Sequence, residues 1–270
     1  MLSDITIGQY YKENSFVHRL DPRNKIILTV LMMAMIFSCK NFVSLLLVTA
    51  LITVSIALSK VPFKMFFKSL KSIVPIIVFT ALINLFYISG GKEWSFWIIK
   101  ISEKGIYTAL FMAVRIILLI VASSILTYTT VPTMLTDAIE RLLSPLKVFK
   151  ISVHSLAMMM TLALRFIPTL IEEIERITNA QKARGADFEN GSIIDRVKAL
   201  IPVLIPLFVS SFKRAYDLAF AMSCRCYTGG EGRTRMKQMK FKIKDFISVG
   251  VFVLGLIGII LSNKYFGALI

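Results

Sequence analysis

The sequence has few of the side chains that usually carry catalysis or bind metal. It contains two histidines, His18 and His154, and three cysteines, Cys39, Cys224 and Cys226. Three cysteines form no even disulfide framework, and Cys-x-Cys is not one of the strong zinc spacings. His18 lies in a charged segment and His154 on an apolar face, where structural histidines are commoner than catalytic ones. These side chains give no support for a metal centre or a catalytic base.

Catalytic and nucleotide-binding motifs are also absent. Residues 228–235, TGGEGRTR, lack the Lys-Ser/Thr pair of a phosphate-binding loop, and the chain contains neither His-Glu-x-x-His nor Gly-x-Ser-x-Gly. The long apolar runs contain no Asp, Glu or His that would act as a proton relay or ion site, and Arg115 is the one ionisable residue well inside a run. We therefore expect a chain that is not an enzyme and binds no metal or cofactor of its own.

What the chain does have is apolar sequence in long blocks. Its hydrophobic content is 56% and its mean hydropathy is +0.72, above the roughly 45–50% apolar content of soluble domains. A bilayer core of about 30 Å needs roughly 20 helical residues, whose backbone groups must bond within their own segment. We therefore predict an all-α integral membrane protein with about five transmembrane helices, at residues 26–39, 42–59, 72–89, 106–127 and 246–262.

Basic residues are twice as numerous as acidic ones, 32 against 16, and they are unevenly distributed. Twenty-six of them lie before the first run, between the second and third runs, or in residues 128–245. Cytoplasmic loops are enriched in Lys and Arg, so this distribution predicts a cytoplasmic N-terminus. Residues 89–100, with Trp94 and Trp97, are expected to form an interfacial segment on the outer side. With so much apolar sequence, the basic balance favours anionic lipid or an acidic partner protein over nucleic acid.

Residues 128–245 contain two further apolar parts, 151–171 and 197–212, each continuing without a break into a charged half. Counting both as membrane spans gives seven spans and leaves the sides of the termini unchanged, so charge does not exclude this alternative. The continuity favours long amphipathic helices that lie at or just under the membrane. The predicted organisation is a membrane domain of four helices at 1–130, a cytoplasmic domain at 131–245 and a C-terminal transmembrane helix at 246–270.

The two halves of this cytoplasmic domain resemble one another. Each has an Ile-Pro pair followed eight residues after the proline by an arginine, Arg176 or Arg214, and then by a second arginine, Arg184 or Arg225. Gly185 stands where a helix C-cap glycine belongs. In the second half an apolar seam with alternating spacings of four and three is expected to bury against the neighbouring helix and to leave Arg214 and Arg225 outward. The seam consists of Phe208, Phe212, Ala215, Ala219, Met222 and Cys226.

Three stretches of the chain resemble the transmembrane T component of energy-coupling factor (ECF) transporters. They are GQYYKENSFVHRLDPRNKI, RFIPTLIEEIERITNAQKARGADF and IPLFVSSFKRAYDLAFAMSCRCYTGGEGRTR. The resemblance implies a multi-pass protein of a prokaryotic plasma membrane whose cytoplasmic domain consists of coupling helices. It implies two ABC-type ATPase subunits as partners, which bind ATP and Mg²⁺, and a membrane S component that binds a vitamin or metal ion. It also implies two ATPase-coupling motifs, which map to Ala183, Arg184 and Gly185 and to Cys224, Arg225 and Cys226.

The second motif departs from the Ala-Arg-Gly pattern. Cys226 lacks the permissive backbone of glycine, so a left-handed stop is disfavoured there and the helix is expected to run on to Gly229–Gly230. The resemblance further suggests a surface facing the S component that includes Arg115 and the flexible side chains of Met158, Met159 and Met160. Core packing of these methionines stays open, as does bonding of Arg115 to carbonyls inside the helix bundle.

Two other functions remain as alternatives. A self-sufficient secondary transporter or channel needs a polar constellation at the membrane midplane, for which the runs offer Arg115 and scattered Ser and Thr. A membrane-embedded enzyme needs paired carboxylates or metal ligands, which the runs lack. The residues therefore favour a coupling scaffold, and they do not identify what is transported.

Overall fold

The computed structural model describes residues 10–88, 90, 93–96, 99–149, 152–188, 192–229, 239 and 241–265. Its helices confirm the all-α membrane prediction. They are α1 (Pro22–Ser38), α2 (Phe42–Ser59), α3 (Phe63–Lys71), α4 (Val74–Tyr87), α5 (Glu103–Thr129), α6 (Pro132–Leu142), α7 (Val153–Ala183), α8 (Ile193–Cys224) and α9 (Ile243–Tyr265), with a 3₁₀ helix at Ser144–Phe149.

Among the described residues, four helices are long and apolar enough to cross a membrane: α2, α5, α7 and α9. The pair α3 and α4, bent by 61°, makes a fifth candidate if it is taken as one broken span. Helix α1 coincides with the first predicted run but has only 17 residues. The number of candidate spans therefore agrees with the prediction of about five. One of the candidates, α7, lies within residues 131–245, which we predicted to be outside the membrane.

Two short elements differ from the sequence prediction. No helix was predicted between the second and third apolar runs, but residues 63–71 in this basic segment form helix α3. Its lysines recur at spacings of four and three, and Phe66 on the other side is buried, which is the pattern of an amphipathic helix at an interface. In the predicted interfacial segment, β1 (Glu93–Phe96) and β2 (Ile99–Ser102) form an antiparallel hairpin. Trp97 lies outside the described residues.

The chain divides into two compact units. The membrane unit comprises residues 8–135 and 238–270, and its core forms where α1, α2, α5 and α9 meet. The largest fully buried side chains there include Phe111, Met35, Ile36 and Ile259. At Gly255 of α9 a Cβ atom would lie 2.5 Å from Leu51 and 3.0 Å from Met35, so the glycine permits close packing of α9 on α1 and α2.

A buried polar network joins the start of α1 to the start of α9. Asp245, at the start of α9, accepts a hydrogen bond from the backbone N–H of Asp21 at 2.9 Å. The Asn24 side-chain amide donates to the Asp245 carbonyl at 3.1 Å and to Ser248 Oγ at 2.9 Å. Buried polar groups are costly unless bonded, so these mutual bonds fix the N-terminal end of α1 against the N-terminal end of α9.

The second unit comprises residues 136–237, and α7 and α8 are its long helices. They run antiparallel, because positions late in α7 meet positions early in α8. Gln181 Nε2 donates to the Pro202 carbonyl at 3.3 Å, and Arg214 Nη2 lies 3.8 Å from Glu173 Oε2. Both helices retain internal prolines, including Pro168 in α7.

Candidate functional site

Helix α7 ends at the first predicted motif. The backbone N–H of Gly185 donates to the Lys182 carbonyl at 2.9 Å, and that of Ala186 donates to the Gln181 carbonyl at 3.0 Å. Gly185 has a φ of +89°. These two bonds around a left-handed residue make the Schellman ending of a helix. Ala183, Arg184 and Gly185 are all exposed, so the turn presents Arg184 to the surroundings of the unit.

Helix α8 ends with the same geometry, and the prediction for Cys226 is therefore wrong. The helix stops at Cys224 instead of continuing to 229–230, and Cys226 has a φ of +54°. Its N–H donates to the Ser223 carbonyl at 2.9 Å, while the N–H of Tyr227 donates to the Met222 carbonyl at 3.1 Å. These two hydrogen bonds satisfy carbonyls at the helix end. They form although the left-handed conformation of Cys226 costs a non-glycine residue about 1–2 kcal/mol.

The two helix ends lie far apart on the second unit. Gln181 contacts Pro202 of α8, so the end of α7 lies beside the early part of α8. Arg225 follows Pro202 by 23 residues, which corresponds to roughly 35 Å at about 1.5 Å per helical residue. Cys224, Arg225 and Cys226 are exposed like their counterparts on α7. The antiparallel pair therefore presents one exposed arginine turn near each end.

The apolar seam of α8 is exposed, contrary to prediction. Phe208 and Phe212 are 60% and 71% exposed, and their rings stack on one another at 6.5 Å. The opposite face of α8 carries the contact with α7: Val203 is buried, and Arg214, which was predicted to face outward, is half-buried beside Glu173. Hydrophobic spacing identified residues on one face correctly, but it did not show that another face of α8 packs on α7.

The three methionines of α7 lie near its N-terminal end. Met159 is 62% exposed and the nearby Leu156 is 43% exposed, whereas Met158 and Met160 are half-buried. Among the α7 residues in the part that is apolar enough to cross a membrane, only 6% are buried. This half of the helix therefore has a large apolar surface that is not covered by the described residues of its own unit.

Arg115 bonds within the membrane unit. Its Nη2 donates to the Cys39 carbonyl, at the turn after α1, and its guanidinium lies 4.7 Å from the centre of the Phe111 ring. Nη1 approaches the Met112 sulfur at 3.8 Å. The last carbonyls of a helix lack intrahelical donors, so Arg115 supplies one from α5. This geometry is the carbonyl-binding alternative that the sequence left open.

Sequence reasoning missed the contact that holds the second helix end. His154, at the start of α7, lies 3.1 Å from Glu140 Oε1 of α6 through Nδ1 and 3.1 Å from the Tyr227 hydroxyl through Nε2. Tyr227 is two residues beyond Arg225. The apolar surroundings of His154 in the sequence favoured a structural role over a catalytic one and did not identify its partners. Only the antiparallel arrangement of α7 and α8 brings residues 154 and 227 together.

The long apolar helices define a multi-pass membrane protein. Its second unit presents two exposed arginine turns, one at the end of α7 and one at the end of α8. Residues 13–236 match the family of the cobalt transport protein, CbiQ. The chain is also 51% identical to the energy-coupling factor transporter transmembrane protein EcfT of Ruminiclostridium cellulolyticum, over 98% of this chain and 100% of that protein. The proteins of the same name from Clostridium kluyveri and Streptococcus equi are 46% and 42% identical, over 92% and 94% of this chain and 93% and 94% of their own lengths.

The chain therefore belongs to the CbiQ family of transport proteins, as an EcfT-type transmembrane component. This result confirms the resemblance found in the three sequence stretches.

Proposed function

We propose that the chain is the energy-coupling subunit of an ECF-type importer, which links two cytoplasmic ATPases to a substrate-binding S component for uptake of a vitamin or other micronutrient. The observation that carries this proposal is the pair of matching helix ends on α7 and α8, each presenting an exposed arginine on a Schellman turn. ATP hydrolysis takes place in the partner subunits, and the chain itself is not an enzyme.

The arginine turns suit docking into grooves on other proteins. A guanidinium stays charged at all relevant pH values and pairs with carboxylates through two parallel hydrogen bonds. The left-handed turn stops each helix directly after the arginine, so the helix end is a compact plug. Because the two turns are roughly 35 Å apart along the pair, each can dock on a different ATPase subunit.

The exposed apolar faces complete the proposed interface. Large side chains are exposed, as far as the described residues go, in the seam of α8 around Phe208 and Phe212 and on the surface around Met159 of α7. Exposed patches of this kind usually mark interaction sites, and methionines suit a surface that accepts several partners. We assign the Met158–Met160 surface to the S component. Arg115 is not part of it, because its guanidinium is bonded to Cys39 inside the membrane unit.

The proposed topology places the N-terminus and the α7–α8 unit in the cytoplasm of a prokaryotic cell, with the chain in the plasma membrane. Helix α7 is apolar enough to cross a membrane, so its location needs a direct test. Single cysteines at Ser152 and Ser192, which flank α7, report it in a background without native cysteines. Both positions should be protected from an impermeant thiol reagent in intact cells, while a cysteine at Lys40 is labelled. Labelling of only one of the two flanking positions would show that α7 crosses the membrane.

Charge reversal tests the coupling role. Arg184→Glu and Arg225→Glu should each abolish vitamin uptake and reduce recovery of the ATPases with the tagged chain, with the double variant worse than either. Removing one partner of a desolvated charge pair typically costs roughly 2–5 kcal/mol. Arg176→Glu, an exposed reversal about two turns before the end of α7, is the matched control and should retain uptake. Normal uptake and normal ATPase recovery in the double variant would contradict the proposal, and uptake without any ATPase would favour a self-sufficient transporter.

A further inference from the structure

The membrane unit contains two adjoining cavities of different chemistry. The first, here called the apolar groove, has a volume of about 220 Å³ and lies between α1, α2, α5 and α9. Its walls include Leu28, Met32, Val54, Ile125 and Val251. Val54 and Val251 are 55% and 47% exposed, so the groove has a mouth on the outer surface of the helices, where lipid surrounds a membrane protein.

The second cavity, here called the basic pocket, has a volume of about 320 Å³ and lies at the end of the same helices. It is lined by Arg19, Lys25 and Lys242 together with Asp21. Arg19 and Lys242 are exposed, whereas Lys25 is buried. The two cavities are adjacent, because both are lined by Leu20, Lys25 and Thr129.

The acidic groups near the basic pocket are already occupied by other donors. The Asp21 carboxylate receives Nε of Arg23 at 3.1 Å and Nη2 at 3.0 Å. Asp245 accepts the backbone N–H groups of Asp21 and Lys242 at 2.9 and 2.7 Å. Among the described residues, no carboxylate oxygen lies within salt-bridge distance of Arg19, Lys25 or Lys242. Lys25 is attracted electrostatically by Asp245 and Asp21, so the positive charge that the pocket keeps available to an anion is chiefly that of Arg19 and Lys242.

The walls of the basic pocket are held by bonds within the chain. Lys25 Nζ donates to the Thr129 carbonyl at 2.8 Å and to the His18 carbonyl at 3.2 Å, which accounts for two of its three N–H donors. The N–H of Tyr11 donates to the Tyr128 carbonyl at 2.9 Å and fixes the N-terminal segment against α5. Burial lowers the pKa of His18 below its usual value, so the positive charge at neutral pH comes from the lysines and the arginine.

We propose that the membrane unit binds one anionic phospholipid, with its phosphate in the basic pocket and an acyl chain in the apolar groove. An apolar groove alone would accept any lipid tail, and a basic pocket alone would accept any small anion. Their shared wall at Lys25 makes one continuous site for a molecule that is apolar along one part and negatively charged at its end. A phospholipid of the surrounding bilayer has this chemistry and reaches the groove from the side.

Native mass spectrometry of the full-length chain in neutral detergent tests the site, with dioleoyl phosphatidylglycerol and dioleoyl phosphatidylcholine as probes. One molecule of phosphatidylglycerol should remain bound under conditions that remove phosphatidylcholine. The double variant Arg19→Gln, Lys242→Gln should lose about 25-fold of this preference, since each of the two cations near an anionic headgroup contributes roughly a factor of five. It should leave the buried network intact, because Lys242 contributes only its backbone N–H to Asp245.

Two matched controls separate this site from general effects of charge and bulk. Lys68→Gln with Lys71→Gln removes the same charge from α3 and should keep the preference. Val251→Trp should displace the bound lipid by filling the groove, whereas Val253→Trp, a similarly exposed position of α9 that does not line the groove, should not. Equal binding of both lipids, or equal loss in the α3 control, would overturn the proposal. Inorganic phosphate that competes with the lipid and still binds the Val251→Trp variant would show a free-anion pocket instead.

Discussion

Replacing Cys226 by glycine should strengthen the end of helix α8. Cys226 has a φ of +54°, and a left-handed conformation costs a residue with a Cβ atom about 1–2 kcal/mol. Glycine removes that cost but gains freedom in the unfolded chain worth about 0.4–1 kcal/mol. The difference predicts that Cys226→Gly stabilises the turn by roughly 0.5–1 kcal/mol.

Hydrogen exchange of the full-length chain measures this change at the turn itself. The amide of Tyr227 donates to the Met222 carbonyl across the turn, so it exchanges when the turn opens. A gain of about 0.5–1 kcal/mol slows its exchange roughly two- to fivefold. Cys226→Ala is the control, because alanine removes the thiol and keeps the Cβ atom, and it should leave the rate nearly unchanged.

The corresponding change at α7 should act in the opposite direction. Gly185 has a φ of +89° and no atom within 4 Å of a Cβ position, so Gly185→Ala introduces backbone strain without a steric clash. Exchange of the Ala186 amide should become faster. Strain from a Cβ atom at these turns is ruled out if Cys226→Gly and Cys226→Ala change the exchange rate of the Tyr227 amide equally. It is also ruled out if Gly185→Ala slows exchange of the Ala186 amide.

Three further substitutions test other contacts. Asp245→Asn should lower the melting temperature in detergent, because the buried carboxylate accepts bonds from two backbone N–H groups and Asn24, and bonds to a charged group are worth about 1.5–3 kcal/mol; an unchanged melting temperature would contradict this role. Arg115→Leu should destabilise the chain by removing the donor to the Cys39 carbonyl, with a smaller loss for Arg115→Lys, and equal losses in both would argue against carbonyl capping. Phe212→Asp should reduce recovery of partner subunits while leaving the melting temperature of the isolated chain unchanged, since Phe212 is 71% exposed; unfolding of the isolated chain would place Phe212 in the core.

Much of the membrane unit can be predicted from the sequence. Helices surrounded by lipid carry apolar side chains on every side, so α2, α5 and α9 correspond closely to continuous apolar runs. The amphipathic helix α3 escaped prediction because its lysines dominate a nine-residue segment. Its period of four and three was present in the sequence, but length and charge favoured a loop.

The geometry of the candidate site could be predicted only in part. The family resemblance located the two arginine motifs, and Gly185 predicted both the end of α7 and its type of turn. The end of α8 was predicted at 229–230, whereas the helix ends at Cys224. The second turn was missed because residue preference was given more weight than the hydrogen bonds available at the helix end. The exposed seam around Phe212 was missed for a different reason: periodicity shows which side chains share a face, but not whether that face meets α7, a partner or solvent.

The polar network between α1 and α9 has a consequence for how the protein is made. Asn24 and Asp245 are separated by 221 residues, so at about 5–20 residues per second a ribosome needs roughly 10–45 s to synthesise the chain between them. During this interval α1 is already complete, while the helix that satisfies its side-chain amide does not yet exist. A newborn chain without α9 thus lacks the Asp245 carbonyl and Ser248 hydroxyl that accept hydrogen bonds from the Asn24 amide in the finished protein, so this end of α1 reaches its final bonding only when synthesis is nearly complete.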